Sequence, residues 1–151
     1  MHSTHPRLGP ADGPADLLMA AARGLRRRYL AAIASFEVTP GQARALRSIC
    51  VAGPVRLSAL ANLLDIAPRS ATEVVDALQA RGLVLREPDP ADRRATCVVA
   101  TAEGSRVLGQ IEEVRTEEFE RYLAVLPERD QADLSRILAA LLAASGRVWS
   151  D

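Results

Sequence analysis

Apolar residues recur at every third or fourth position over two stretches near the N-terminus. The first stretch predicts a helix from about Asp16 to Phe36. The second helix begins with a capping box in Thr39-Pro40-Gly41-Gln42 and ends at Gly53-Pro54. The apolar stripe of the first helix consists of Leu18, Ala22, Leu25, Tyr29, Ile33 and Phe36.

Two short helices are predicted next, with only Asp65-Ile66-Ala67 between them. We expect Ser58 to cap the first of them, and Pro68 to open the second, which ends at Gly82. The first would bury Leu60, Ala61 and Leu64. Two helices joined by so short a turn form a helix-turn-helix, whose second helix enters the major groove of DNA.

The second of these helices has one apolar face and one polar face. The apolar face consists of Ala71, Val74, Val75 and Leu78. The side chains that point outward near its N-terminal end, where such helices meet base edges, are Arg69, Ser70, Thr72 and Glu73. We expect the first three to contact bases or phosphates. An acid near phosphates costs energy, so Glu73 would lie there only if it accepts a hydrogen bond from cytosine or is paired with another group. Ser58 joins them as a candidate contact.

A β-hairpin follows the second short helix. Its strands are predicted at Leu83–Glu87 and Ala95–Ala100. The loop between them carries Arg93 and Arg94 at its tip, and Asp92 is expected to aim one of these arginines through a charge-assisted hydrogen bond. A hairpin with a basic tip after a recognition helix is a wing, which can reach the adjacent minor groove.

The rest of the chain is predicted to be helical, from Thr101 to about Val125 and again from Pro127. The last helix has an apolar stripe of Leu134, Ile137, Leu138, Leu141, Leu142, Val148 and Trp149. These helices have no large sheet to cover, so burial against a second copy of the chain is the simplest solution.

The predicted fold is therefore mainly α with a small antiparallel β-wing. It is a winged helix-turn-helix flanked by N- and C-terminal dimerisation helices. We divide the chain into a flexible tail at 1–15, dimerisation helices at 16–37 and 102–151, and a winged helix-turn-helix at 38–101.

Composition adds one constraint on how the chain would bind DNA. Its 151 residues suffice for one domain, and no apolar run approaches the length of a membrane span, so a cytoplasmic protein is expected. Nineteen arginines balance nineteen acidic residues, and there is no lysine. Because the net charge is zero, affinity for DNA must depend on where individual arginines lie.

The chain resembles the multiple-antibiotic-resistance regulator (MarR) family of winged helix-turn-helix proteins. The stretches that carry the resemblance are Leu57-Ser58-Ala59-Leu60-Ala61, Ile66-Ala67-Pro68-Arg69-Ser70-Ala71-Thr72, Val75-Asp76-Ala77-Leu78 with Arg81-Gly82-Leu83-Val84, and Asp89-Pro90-Ala91-Asp92-Arg93-Arg94. The resemblance implies a homodimer, inverted-repeat operators in duplex DNA, and repression that a small ligand or oxidation relieves. Ala67 departs from the family, which often has a capping serine there.

An effector site is left open by the sequence. Leu25, Tyr29 and Phe36 are either core residues or the lining of a ligand pocket for an anionic or phenolic small molecule. The run Arg26-Arg27-Arg28 is either a solvated helix face or part of an anion site. No cofactor is expected.

The remaining reactive side chains suggest structural roles. Asp76 is expected to hold its helix to the wing through Arg81 or Arg86. Cys50 and Cys97 are interpreted as small buried hydrophobes, with a redox sensor as the alternative.

No catalytic or metal site is expected. His2 and His5 lie in the tail without further metal ligands, and no nucleophile motif or phosphate loop is present, so an enzyme is disfavoured. A winged helix used only for protein–protein contact is the remaining rival.

Overall fold

The computed structural model describes residues 13–144, which form six α-helices and three β-strands. In chain order these are α1 (Pro14–Ile33), α2 (Pro40–Ala52), β1 (Val55–Arg56), α3 (Leu57–Leu64), α4 (Pro68–Ala80), β2 (Val84–Pro88), β3 (Thr96–Ala100), α5 (Ala102–Leu123) and α6 (Glu128–Ala144). A 3-10 turn at Ala34–Phe36 extends α1. None of the helices within the described range is long and apolar enough to cross a membrane.

The first two helices follow the sequence pattern closely. Helix α1 begins at Pro14, two positions before the predicted Asp16, because proline is preset for the first turn of a helix. The capping box of α2 is confirmed: Gln42 N–H donates to Thr39 Oγ1 at 3.2 Å, and Thr39 N–H donates to Gln42 Oε1 at 2.9 Å. Of the predicted tail, residues 1–12 lie outside the described range.

The helix-turn-helix is confirmed, with one correction at its start. Arg56 is the N-terminal cap residue of α3, and Ser58 lies inside the first turn, so Ser58 does not cap the helix as predicted. In the turn, Asp65 adopts a left-handed conformation (φ 53°), which aspartate tolerates better than most residues. Ile66 N–H then donates to Ala61 O at 3.1 Å, and Pro68 opens α4.

The three strands form one antiparallel sheet in the order β1-β3-β2. The predicted hairpin is confirmed, with Val84 opposite Ala100 and Pro88 opposite Thr96. Strand β1 was not predicted, because two residues are too few to show an alternating pattern. It pairs Arg56 with Cys97, and so joins the residue before the helix-turn-helix to the hairpin.

One core joins the helices to the sheet. Its fully buried large side chains are Ile33, Leu46, Ile49, Leu60, Val75, Leu78, Val84, Val98 and Ile111. Helix α5 packs on α1, α2 and β3, and its predicted cap is confirmed, since Thr101 Oγ1 accepts from Gly104 N–H at 2.9 Å. The same hydroxyl donates to Gly82 O at 2.7 Å, which holds the start of α5 against the end of α4.

Helix α6 differs from the others because it buries none of its residues in this chain. Leu134 and Leu138 are half-buried, whereas Ile137 and Leu141 are 48% and 54% exposed. Val148 and Trp149, the last members of the predicted stripe, lie outside the described residues. The apolar face of α6 is therefore largely uncovered within one chain.

Candidate nucleic-acid interface

The N-terminal end of α4 presents polar side chains to solvent. The side chain of Arg69 is 91% exposed, and its Nε–H donates to Glu73 Oε1 at 3.1 Å across one helical turn. Exposed ion pairs of this kind are weak, so Arg69 can exchange Glu73 for a phosphate or a base at little cost. Ser70 is half-buried and Thr72 is exposed, with its hydroxyl donating to Pro68 O at 3.1 Å.

The wing tip is basic and open. Arg93 and Arg94 are exposed, and within residues 13–144 neither guanidinium has an ion-pair partner. Asp92 Oδ1 accepts from the backbone N–H of Arg94 at 3.0 Å. The prediction that Asp92 aims an arginine side chain is therefore wrong, because its carboxylate caps the backbone of the turn instead.

The wing is braced by a residue that sequence reasoning missed. Asp89 is only 7% exposed, and it is the buried charged residue of the described chain. Its Oδ1 accepts from Ala91 N–H at 2.7 Å, and its Oδ2 accepts from Arg56 Nε–H at 2.5 Å. The Ala91 N–H and the Arg56 guanidinium hold the pKa of Asp89 below its ordinary value, against the opposing effect of burial. The sequence showed Asp89 only as a turn former, since its partner lies on the unpredicted β1.

A second brace was predicted and is present. Arg86 on β2 donates to Asp76 Oδ1 at 2.6 Å and also to Gln79 Oε1, so the wing is fastened to the exposed side of α4. Arg81, the other predicted partner of Asp76, instead donates to the carbonyls of Phe36 and Glu37 at 2.8 and 2.7 Å. It ties the end of α4 to the end of α1, where Glu37 adopts a left-handed conformation (φ 54°).

A cavity of about 310 Å³ lies between α1, α2 and α5. It is lined by Tyr29, Pro40, Ala43, Arg44, Arg47, Glu112, Arg115 and Phe119. Of the three candidate pocket residues only Tyr29 is part of the lining. Tyr29 and Phe36 both pack against the core, and Leu25 is half-buried on α1.

This cavity carries an excess of positive charge. Arg47 and Arg115 share the single carboxylate of Glu112, with Arg115 Nη1 at 3.4 Å from Glu112 Oε2. The guanidinium of Arg115 lies 5.5 Å from the centre of the Phe119 ring, and its buried Nε has no hydrogen-bond partner among residues 13–144. Arg44 is exposed and without an ion pair in the described chain. The lining therefore suits a small anion with an aromatic part.

A second groove, of about 420 Å³, runs along α1 beside Tyr122 and includes Arg27 and Arg28 from the predicted basic run. Arg28 is not a free cation, because its guanidinium lies 5.4 Å from the Tyr122 ring centre and 3.7 Å from Glu118. Arg26 lies outside the lining and is exposed.

The two cysteines are free thiols in different elements, Cys50 half-buried on α2 and Cys97 buried on β3. Burial raises the pKa of both thiols, which disfavours the thiolate that oxidation requires. No cluster of metal ligands is found in the described part of the chain, and His2 and His5 lie outside it.

Comparison with known proteins agrees with this arrangement. The model of the MarR family matches residues 38–96. A protein of Thauera aromatica, whose name describes a transcriptional regulatory protein for the hcr operon, is 31% identical over 78% of this chain and 75% of its own length. The chain belongs to the MarR family. It is thus a DNA-binding transcriptional regulator and not an enzyme.

Two further proteins extend the comparison. The MarR-family regulator is 29% identical to the HTH-type transcriptional repressor MdtR of Bacillus subtilis (strain 168), over 72% of this chain and 70% of MdtR. Its fold matches the crystal structure of apo MarR from E. coli with a TM-score of 0.73 at 22% identity, over 87% of this chain and 98% of that one. The mainly helical fold with a small antiparallel wing is thereby confirmed.

Proposed function

We propose that this MarR-family regulator is a homodimeric repressor that reads an inverted repeat in duplex DNA and leaves it when a small anionic ligand binds. The observation that carries the proposal is the set of exposed arginines at the two ends of one braced unit. Arg69 lies at the start of α4, and Arg93 and Arg94 lie at the tip of the wing that Arg86 ties to α4.

On DNA, α4 enters the major groove and the wing follows the adjacent minor groove. Arg69 then contacts a guanine or a phosphate, and Ser70, Thr72 and Ser58 contact phosphates or base edges. Glu73 acts as the partner of Arg69 rather than as a base contact, since it already accepts from Arg69 in the free protein. Residues 38–101 supply these contacts, and the helices on either side supply the dimer.

The direct test uses DNA from the regulator's own promoter region, with binding followed by fluorescence anisotropy. We expect Arg94→Ala and Arg69→Ala each to weaken binding by about 1–3 kcal/mol, the loss typical of one arginine contact in a groove. Arg129→Ala is the matched control, because Arg129 is an exposed arginine at the start of α6 with no ion pair among the described residues. Affinity that stays at the wild-type value in both variants would contradict the proposed contacts.

The homodimer is proposed because exposed apolar side chains gather on α1 and α6. Leu17, Leu18 and Met19 are 47%, 41% and 58% exposed on α1, and Ile137 and Leu141 are similarly open on α6. A two-fold axis through these helices would place two recognition helices about 34–36 Å apart, one turn of DNA, so the operator is an inverted repeat. A footprint over one asymmetric half-site would contradict this arrangement.

Ligand response is assigned to the cavity between α1, α2 and α5. The cavity is lined by α1, and Arg81 ties the end of α4 to the carbonyls of Phe36 and Glu37 just beyond α1. A bound ligand that shifts α1 can therefore change how α4 is held. Benzoate is a suitable probe: we expect it to lower DNA affinity in wild type, and to do so much less in Arg44→Ala. Benzyl alcohol, which lacks the charge, and Arg129→Ala serve as controls. Equal responses of wild type and Arg44→Ala to benzoate would exclude this cavity as the anion site.

Repression is favoured over activation because the name of MdtR describes a repressor. We place the protein in the cytoplasm, the compartment of the DNA that it would read. A reporter driven by the regulated promoter should rise when the gene for the regulator is deleted, and a fall would indicate an activator.

A further inference from the structure

The ion pair between Arg56 and Asp89 lies where the wing tip leaves the sheet. Arg56 is the last residue of β1 and the cap residue of α3, so it belongs to the start of the helix-turn-helix. Asp89 directly follows β2, at the point where the paired strands end. One side-chain contact therefore joins the helix-turn-helix to the base of the tip loop.

Asp89 organises the loop with all of its polar groups. Its backbone N–H donates to Ala95 O at 2.9 Å, and its backbone carbonyl accepts from Asp92 N–H at 3.3 Å. One carboxylate oxygen accepts from Ala91 N–H, and the other accepts from Arg56. The first three bonds shape the loop, and the Asp89 side chain also has a hydrogen bond with the Cys97 thiol on β3. The bond to Arg56 is the one that joins the loop to the start of the helix-turn-helix.

The wing needs such a connection because little else holds its tip. Strand β1 reaches only two residue pairs along β3, at Val55 with Val98 and Arg56 with Cys97. Beyond these pairs, the end of the hairpin is a two-stranded ribbon, which is marginally stable in water. If Arg93 and Arg94 moved freely, ordering them at each binding event would cost conformational entropy and lower the affinity for DNA.

We propose that Arg56 is a positioning residue for DNA binding, which acts through Asp89 to hold Arg93 and Arg94 in one orientation relative to α4. This inference rests on the wing–DNA contact proposed above. The rival interpretation is that Arg56, whose side chain is 47% exposed, contacts a phosphate directly.

The two interpretations predict opposite results for Asp89→Asn. If Arg56 acts through Asp89, Arg56→Met and Asp89→Asn should both weaken DNA binding, each by about tenfold, comparable with the loss of one arginine contact. If Arg56 contacts a phosphate directly, Asp89→Asn should leave affinity unchanged or raise it, because the arginine loses its competing carboxylate. That second result would overturn the proposal.

DNA affinities of combined variants distinguish a positioning role of Arg56 from a merely structural one. In a chain that already carries Arg93→Ala and Arg94→Ala, adding Arg56→Met should weaken DNA binding little further. The side chains that Arg56 would position are already absent in that chain. In a chain that carries Arg69→Ala, adding Arg56→Met should weaken DNA binding by as much as it does in wild type. Losses that add in full in both backgrounds would overturn a positioning role.

Two further comparisons keep the outcome clear. Arg56→Lys, which keeps the charge, should restore at least part of the affinity, and thermal unfolding of every variant shows whether it is folded at the assay temperature. The charge-free pair Arg56→Met with Asp89→Asn avoids an unpaired buried carboxylate, and should show the same loss of DNA affinity if either single variant fails to fold.

If Arg93→Ala with Arg94→Ala itself binds like wild type, the proposed wing contact fails. If that variant is weak and Arg56→Met binds like wild type, only the positioning role fails.

Discussion

At the scale of single residues, two sets of arginines in this regulator differ in their partners. Arg47, Arg56 and Arg86 are held by carboxylates on other elements, and they fasten the fold together. Arg93 and Arg94 have no ion-pair partner among the described residues. Because nineteen arginines are balanced by nineteen acids, the total charge gives no attraction to DNA, and the proposed contacts depend on where individual arginines lie.

Gly104 shows how closely α5 approaches the wing. A Cβ added at Gly104 would lie 2.0 Å from the backbone oxygen of Leu83, so α5 would have to move away from β2. We expect Gly104→Ala to lower the free energy of unfolding by about 3 kcal/mol, at the upper end of overpacking costs, measured by urea denaturation at one protein concentration.

Gly109 on the same helix provides the matched control. No atom lies within 4 Å of the Cβ that would be added there. Gly109→Ala should therefore stabilise the protein by about 0.5–1 kcal/mol, the ordinary gain of alanine over glycine in a helix. Similar unfolding midpoints for the two variants would show that the contact with Leu83 is not restrictive.

At the scale of elements, the helices differ in how their ends are satisfied. Helix α2 has a complete capping box at Thr39, and α5 has a side-chain cap at Thr101. The cap residue of α4 is Ala67, which offers no side-chain acceptor, so the departure from the family seen in the sequence is present in the structure. The recognition helix therefore begins with backbone N–H groups that no side chain caps, next to the proposed phosphate contacts.

Ala67→Ser should add the missing cap, because the backbone of Ala67 is already extended (φ −62°, ψ 144°) as a cap residue requires. We expect the free energy of unfolding to rise by about 1 kcal/mol, the typical value of such a cap. Thr39→Ala should change it by a similar amount in the opposite direction. If thermal denaturation shows no gain for Ala67→Ser, solvent already satisfies the start of α4.

At the scale of the whole molecule, apolar surface is distributed unevenly. Helices α2 to α5, the sheet and Ile33 at the end of α1 share one buried core. In contrast, α6 buries no residue in this chain, and the start of α1 exposes Leu17, Leu18 and Met19. Exposed apolar patches of this kind commonly mark interfaces between protein chains. This uneven distribution supports the proposed homodimer.

Ile137→Glu with Leu141→Glu should convert the proposed dimer to a monomer, since two charges would have to be buried on each copy. Light scattering after size exclusion measures the mass, and DNA affinity should fall sharply because one recognition helix no longer brings the other to the second half-site. Val51→Glu is the control, as Val51 is 72% exposed on α2 away from these helices. A double variant that elutes and scatters as a dimer would locate the interface elsewhere.

Much of the site was predictable because its signals are local. The turn before Pro68 and the caps at Thr39 and Thr101 depend on neighbours within a few positions, and each is present. The bridge from Asp76 to Arg86 spans only ten positions and was also foreseen. The error at Ser58 is local too: the helix starts two residues earlier than the cap signal suggested, because Arg56 already adopts the extended cap conformation.

The sequence alone determined the order of the helices, the break in the helix-turn-helix and the position of the wing arginines, because periodicity and turn chemistry act over a few residues. Only the tertiary structure decided which distant groups meet. Arg56 finds Asp89 across 33 positions, Arg81 finds Phe36 across 45, and Arg47 finds Glu112 across 65. No local pattern encodes these pairs, since they depend on how the buried faces pack. The same packing placed both Tyr29 and Phe36 against the core, but only Tyr29 also forms a wall of the cavity.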